Sequence, residues 1–166
     1  MKKLIFIGGT MGVGKSTVAN KLNQALENSI YLDGDWCWYM HPWQFNEENK
    51  QMVLRNIQYL LQSYIDNSNF KHIIFCWVMD EQETIDLILR QLNLANVEFV
   101  SISLMANEET LRKNIEKDVT RGLRDENMIV ESINRIIKYT KVDSIKIDTS
   151  NNTIQETVNQ IKTSLK

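Results

Sequence analysis

Residues 8–17 read Gly8-Gly9-Thr10-Met11-Gly12-Val13-Gly14-Lys15-Ser16-Thr17, and the pattern G-x-x-x-x-G-K-[ST] runs from Gly9 to Ser16. Glycine backbone can curl until successive N–H groups point inward at an anion. A lysine just behind such a turn reaches the outer phosphates of a nucleotide, and the hydroxyl beside it is a ligand for Mg²⁺. Four of the six glycines of the chain fall in this stretch. Gly9, Thr10, Met11, Gly12, Val13, Gly14, Lys15, Ser16 and Thr17 are therefore the candidate nucleotide-binding residues.

Two acids follow in Asp33-Gly34-Asp35. Beside a bound nucleotide, one carboxylate can hold a water of the Mg²⁺ shell while the other accepts a proton from a substrate hydroxyl. Asp33 joins Ser16 as a metal candidate, and Asp35 is the candidate base. The same three residues are also ordinary turn chemistry. Further along, Arg112, Lys113, Lys117, Arg121 and Arg124 make a basic run interrupted by Gly122. Arg121 and Arg124 would share one helix face, and a mobile cationic lid would supply charge and exclude water during phosphoryl transfer. A solvated basic helix face is the plainer alternative. Arg121 and Arg124 join Lys15 as catalytic candidates, and Arg112 is expected at the nucleotide.

The elements that must position these groups can be read from periodicity. Leu4–Ile7, Ser29–Leu32, His72–Val78, Val97–Leu104 and Ser144–Ile147 are short apolar runs expected to be strands. Helices are expected from Lys15 to Leu26, after a cap at Asn46, from Asn107 to about Asp118, through Ile129–Ile137 and through Ile154–Leu165. Asp80 with Glu83 has capping-box spacing, so Asp80 reads as a helix cap, with a Walker-B-like acid as the alternative. Alternating strand and helix predicts a parallel sheet covered on both faces, with ligands beyond the carboxyl ends of the strands. The strand ending at Asp33 is expected beside the phosphate loop.

Three of the four tryptophans lie within Trp36–Trp43, with Phe45 just behind. This segment is either an aromatic wall for a substrate or an apolar patch anchoring the next helix, and His41 within it is expected at a turn or rim. Thr140-Lys141-Val142-Asp143 matches a guanine-reading motif, but it follows helical spacing rather than a strand. No glycine has an aspartate three residues before it, so a GTPase is not expected.

Composition narrows the class. A chain of 166 residues with 43% hydrophobic and 24% charged residues is expected to be one globular domain, residues 1–166. A formal charge of −2 argues against a nucleic-acid partner, and no apolar run approaches a membrane span. Cys37 and Cys76 are too few and too far apart for a disulfide framework, and a signal peptide would have its cleavage site inside the glycine loop. A cytoplasmic location and a monomer or homodimer are expected.

Together the Gly9–Ser16 loop, Leu32-Asp33-Gly34-Asp35, Thr120-Arg121-Gly122-Leu123-Arg124 and Ile147-Asp148-Thr149-Ser150 resemble the small P-loop kinases, the nucleoside-monophosphate, shikimate, gluconate and adenylyl-sulfate kinase group. The resemblance spans nearly the whole chain. It implies an α/β, three-layer P-loop NTPase fold with a five-stranded parallel sheet and a helical lid, here near 107–126. It implies ATP with Mg²⁺, an acceptor touched by Asp35 within a region near 36–70, Asp33 near the metal, and Thr149 and Ser150 close to the adenine. His41-Pro42 stands several residues later than the His-Pro of gluconate kinases, and no acceptor-reading signature is present, so the small-molecule acceptor stays open. An ATP-hydrolysing switch module acting on a protein partner and an antibiotic-modifying phosphotransferase are the alternatives.

Mg-ATP is expected to raise the melting temperature by mass action, and Lys15→Ala to remove most of that rise. Thermal denaturation of both proteins with and without Mg-ATP checks this; equal shifts would contradict it.

Overall fold

The computed structural model describes residues 1–166. Its strands are β1 (Lys2–Gly9), β2 (Ser29–Asp33), β3 (His72–Cys76), β4 (Val97–Met105) and β5 (Ile145–Asp148). Its helices are α1 (Lys15–Ala25), α2 (Glu47–Asp66), α3 (Gln82–Leu89), α4 (Glu108–Thr120), α5 (Met128–Ile136) and α6 (Ile154–Ser164). Short 3₁₀ turns cover Gly34–Trp38 and Ile137–Lys141. All strand pairs are parallel, in the order β2-β3-β1-β4-β5. This is the five-stranded α/β architecture expected from the sequence. No helix is long and apolar enough to cross a membrane.

Strand periodicity divides the core into two layers. Ile5 and Ile7 of β1 face one side, where Val18 and Leu22 of α1 and Val158 and Ile161 of α6 pack on them. Leu4 and Phe6 face the other, under Val53, Ile57 and Leu61 of α2 and Ile85 and Ile88 of α3. Alternate residues on a strand point to opposite faces, so a fully apolar β1 requires helices on both sides.

The strand ending at Asp33 reaches the phosphate loop as expected, with Ser16 2.8 Å from the Asp33 carboxylate, without being the sheet neighbour of β1. β3 lies between β1 and β2, with Leu4 opposite Ile73 and Ile73 opposite Ile30. β3 also ends at Cys76, two residues earlier than the apolar run suggests, and Trp77 and Val78 leave the sheet.

Helix ends follow local chemistry. The Asn46 and Asn107 side chains accept from Asn49 N–H and Thr110 N–H, as expected of caps. Thr153 and Glu156 form a full capping box at α6. Asp80 is not the cap of α3: Glu81 holds that place with no side-chain hydrogen bond. Asp80 is drawn instead to cations of the α5 region, 3.4 Å from Arg135 and 3.5 Å from Lys138. α4 ends in a Schellman motif, in which Gly122 at φ 71° lets its N–H reach Val119 O and the Leu123 N–H reach Asp118 O.

The phosphate loop is wedged against α4. At Gly12, φ is 78°, and a Cβ there would sit 2.5 Å from Ile115 Cγ1. At Gly14, φ is 97°, but a Cβ would meet open space. Gly14→Ala should therefore carry only the backbone penalty, about 1–2 kcal/mol, whereas Gly12→Ala adds overpacking and should lose roughly 2–4 kcal/mol. Denaturant midpoints of the two variants check this; a larger loss for Gly14→Ala would contradict the wedge.

Candidate active site

The carboxyl ends of β1, β2 and β3 converge on the loop. The Ser16 hydroxyl donates to Asp33 Oδ2 at 2.8 Å. The Tyr31 hydroxyl donates to the same oxygen at 2.9 Å, and the Cys76 thiol approaches it at 3.4 Å. Asp33 Oδ1 accepts from the Asp35 N–H at 3.0 Å, which fixes the turn into Gly34–Trp38. Burial, with Asp33 adding to it, pushes the Cys76 thiol up to about 12, so it stays protonated as a donor to the carboxylate.

Two oxygen groups, Ser16 and Asp33, thus stand together beside the glycine loop. No group of three or more acidic, His or Cys side chains is assembled to cage an ion. This donor set fits Mg²⁺, which keeps waters and phosphate oxygens as most of its ligands.

The loop is held from outside by contacts the sequence did not announce. Ser132 of α5 receives the Thr10 hydroxyl on its carbonyl at 2.9 Å, and its own hydroxyl donates to the Met11 carbonyl. Asn114 of α4 donates to the Gly12 carbonyl at 2.9 Å. Beneath the loop, the buried Tyr139 hydroxyl accepts from the Met79 N–H at 3.1 Å. Ser132 and Asn114 thus tie up loop carbonyls. Lys15 Nζ bridges to the Thr10 carbonyl at 3.1 Å.

Two cavities open from this centre. The first, about 310 Å³, lies between the loop and α4. Lys15, Lys117, Arg121 and Arg124 reach it against one acid, Asp118, which pairs with Arg124 at 2.9 Å. Ser16 and Thr17 line it as well. The structure thus brings Lys15, Ser16, Arg121 and Arg124 together. Arg112 lies elsewhere: it pairs with Glu108 one turn back, at 3.0 Å, and does not line the cavity. Thr149 and Ser150 do not line it either. They stitch the end of β5 to the end of β4 and to the cap of α4, Thr149 N–H donating to the Met105 carbonyl and Asn107 N–H to the Ser150 hydroxyl, each at 2.8 Å.

The second cavity, about 790 Å³, is mostly apolar. Trp38, Tyr39, Trp43 and Phe45 from the aromatic segment and Leu54 of α2 form one side. Trp77, Val78 and Leu87 form another, and Glu131 and Arg135 of α5 close it. Of the expected aromatic wall, Trp36 packs instead on Tyr31, and the exposed His41 lines neither cavity. The sequence did not mark Trp77 as a site residue, since it lies within the third apolar run and reads as part of the strand. Met11 and Asp35 also line this cavity.

Asp35 Oδ1 accepts from Trp77 Nε1 at 3.1 Å. Partial loss of water and the neighbouring Asp33 raise its carboxyl above the ordinary aspartate value, while Lys15 and Arg124 offset part of the rise. Lys15 goes the other way: burial lowers its ammonium to about 8.

The family model described as AAA domain matches residues 5–134. No curated protein matches the sequence. Among solved structures, the tunicamycin resistance protein of Deinococcus radiodurans is 16% identical with a TM-score of 0.69, over 99% of this chain and 96% of that one. A gluconokinase from Sinorhizobium meliloti 1021 is 12% identical with a TM-score of 0.68, over 98% and 95%. Shikimate kinase from Aquifex aeolicus vf5 is 19% identical with a TM-score of 0.62, over 98% and 95%. At these identities the likeness is one of fold.

With burial lowering Lys15 to about 8, the negative charge of a bound polyphosphate would draw a proton back to it. Nucleotide binding should therefore weaken as pH rises past about 8 and, near pH 9, should take up close to one proton, by linkage. Calorimetry in buffers of different ionisation enthalpy reads this directly. Binding with no proton uptake at that pH would contradict it.

Proposed function

Because the chain belongs to the AAA-domain family and has the fold of the small P-loop kinases, we propose that it transfers the γ-phosphoryl group of ATP to a hydroxyl of a small molecule. The observation that carries this reading is the position of Asp35. It lines the apolar cavity, yet it lies within the field of Lys15 and Arg124 of the cationic one. A carboxylate at the junction of a phosphate site and an organic site is where an acceptor hydroxyl must be deprotonated.

The roles follow from the chemistry. The hydroxyl oxygen bonds to the γ-phosphorus, the bond from that phosphorus to the bridging oxygen breaks, and ADP leaves with the bridging oxygen. The hydroxyl proton passes to Asp35 and then to solvent. Lys15, Arg121 and Arg124 stabilise charge on the migrating group, and the loop N–H groups hold the phosphates. Ser16 and Asp33 would hold Mg²⁺, which when bound neutralises charge between the β- and γ-phosphates. We take the chain as one unit in which 36–70 frames the acceptor and 107–126 covers the phosphates. The raised pKa of Asp35 suits its role, since a more basic carboxylate is a better proton acceptor.

A resistance role is the same chemistry with a foreign acceptor. Two things support it: the apolar character of the second cavity and the likeness to a protein named for tunicamycin resistance.

Asp35→Asn is expected to keep ATP binding and lose phosphoryl transfer by about 100-fold or more, as for a positioned general base. Asp35 works only when ionised, so wild-type activity should fall as pH drops. That fall should begin at a higher pH than an ordinary aspartate would give, and the limb should vanish in Asp35→Asn. Near-normal kcat in the variant would remove Asp35 from the mechanism.

A further inference from the structure

We infer that the second cavity selects an uncharged alcohol with a planar face, and excludes acceptors that carry a phosphate or carboxylate of their own. This rests on the phosphoryl-transfer reading and names the class of acceptor for the same site. The first support is the wall. The Trp43 and Phe45 rings are stacked, 5.7 Å between centroids and 9° apart, and Trp38 lies 5.4 Å from Phe45. Trp43 and Phe45 are about 60% exposed. Trp77 stands across the cavity with its indole N–H already bonded to Asp35. A flat apolar body entering here covers exposed rings and finds faces to stack on.

The second support is charge. Only two cations reach this cavity, and both are committed. Every nitrogen of the Arg135 guanidinium has a carboxylate partner: Nε and Nη2 bond Glu131 at 3.1 and 2.8 Å, and Nη1 meets Asp80 at 3.4 Å. Lys50 Nζ lies 4.6 Å over the Phe45 ring and 3.6 Å from Glu47. An anionic acceptor would lose its water beside Asp35 and Glu131 with no free cation to receive it. The neighbouring cavity has the opposite character, four cations to one acid. Phosphates belong in one compartment and a neutral body in the other.

The volume agrees. About 790 Å³ is ample for a molecule of bicyclic size, with its hydroxyl turned toward Asp35.

The test uses the full chain, Mg²⁺ and a non-hydrolysable ATP analogue, with ligand-observed NMR titration of three probes: 2-naphthalenemethanol, 2-naphthoate and 2-naphthyl phosphate. The alcohol is expected to bind at least about tenfold more tightly than either anion, and Trp43→Ala to weaken it several-fold. Equal or tighter binding of either anion overturns the inference. Glu131→Gln releases one edge of Arg135 and should narrow the gap between alcohol and naphthoate; an unchanged ratio also counts against it. Incubation with ATP, followed by ³¹P NMR, separates the two claims. Preferential binding of the alcohol with no phosphate ester from any of a panel of neutral alcohols would sink the kinase reading while charge selection by the cavity stands.

Discussion

One hydrogen bond, from the Ser16 hydroxyl to Asp33, ties the first turn of α1 to the end of a strand that is not its sheet neighbour. The geometry around it follows. β3 intervenes between β1 and β2, and the contact is made where β2 and β3 end together, with Cys76 the register partner of Asp33. Tyr31 and Cys76 then fill the remaining acceptor positions of the carboxylate. With Asp33 fixed on one oxygen by side chains and on the other by the Asp35 N–H, the turn that presents Asp35 has little freedom left. A buried carboxylate must be fully bonded, and satisfying this one organises the turn.

The same requirement explains how the glycine loop is kept open. Its carbonyls need partners of their own. Ser132 and Asn114 provide them from helices more than a hundred residues away in sequence. The N–H groups are thereby left for an anion. Steric fit completes the frame, with Gly12 flush against Ile115.

Legibility in the sequence followed the range of the interaction. The loop, the strands, the caps at Asn46 and Asn107 and the break at Gly122 depend on neighbours within a few residues, and each was readable. Asp80 was misread because capping chemistry is local, whereas the cations that claim it are at Arg135 and Lys138. Arg112 pairs with Glu108 on its own helix and does not line the cationic cavity, a choice of partner that spacing alone does not decide. The place of β2 outside β3 and the arrival of Trp77 in the apolar cavity are matters of topology, and periodicity carries no register between strands. Ser132 had no signal at all, being a single hydroxyl on an otherwise ordinary amphipathic helix.

That helix, α5, has a consequence for how the two halves of the site communicate. Within one turn it clasps the loop through Ser132 and walls the apolar cavity through Glu131 and Arg135. A short helix moves as a rod, so a body that shifts its outer end also shifts the hydroxyl clasping Met11. On the phosphoryl-transfer reading the two compartments then share one lever, and any effect of one occupant on the other's affinity would be reciprocal. Such coupling bears on thrift as well as affinity: a loop fully set only when its companion cavity is filled would spare nucleotide from being spent on water.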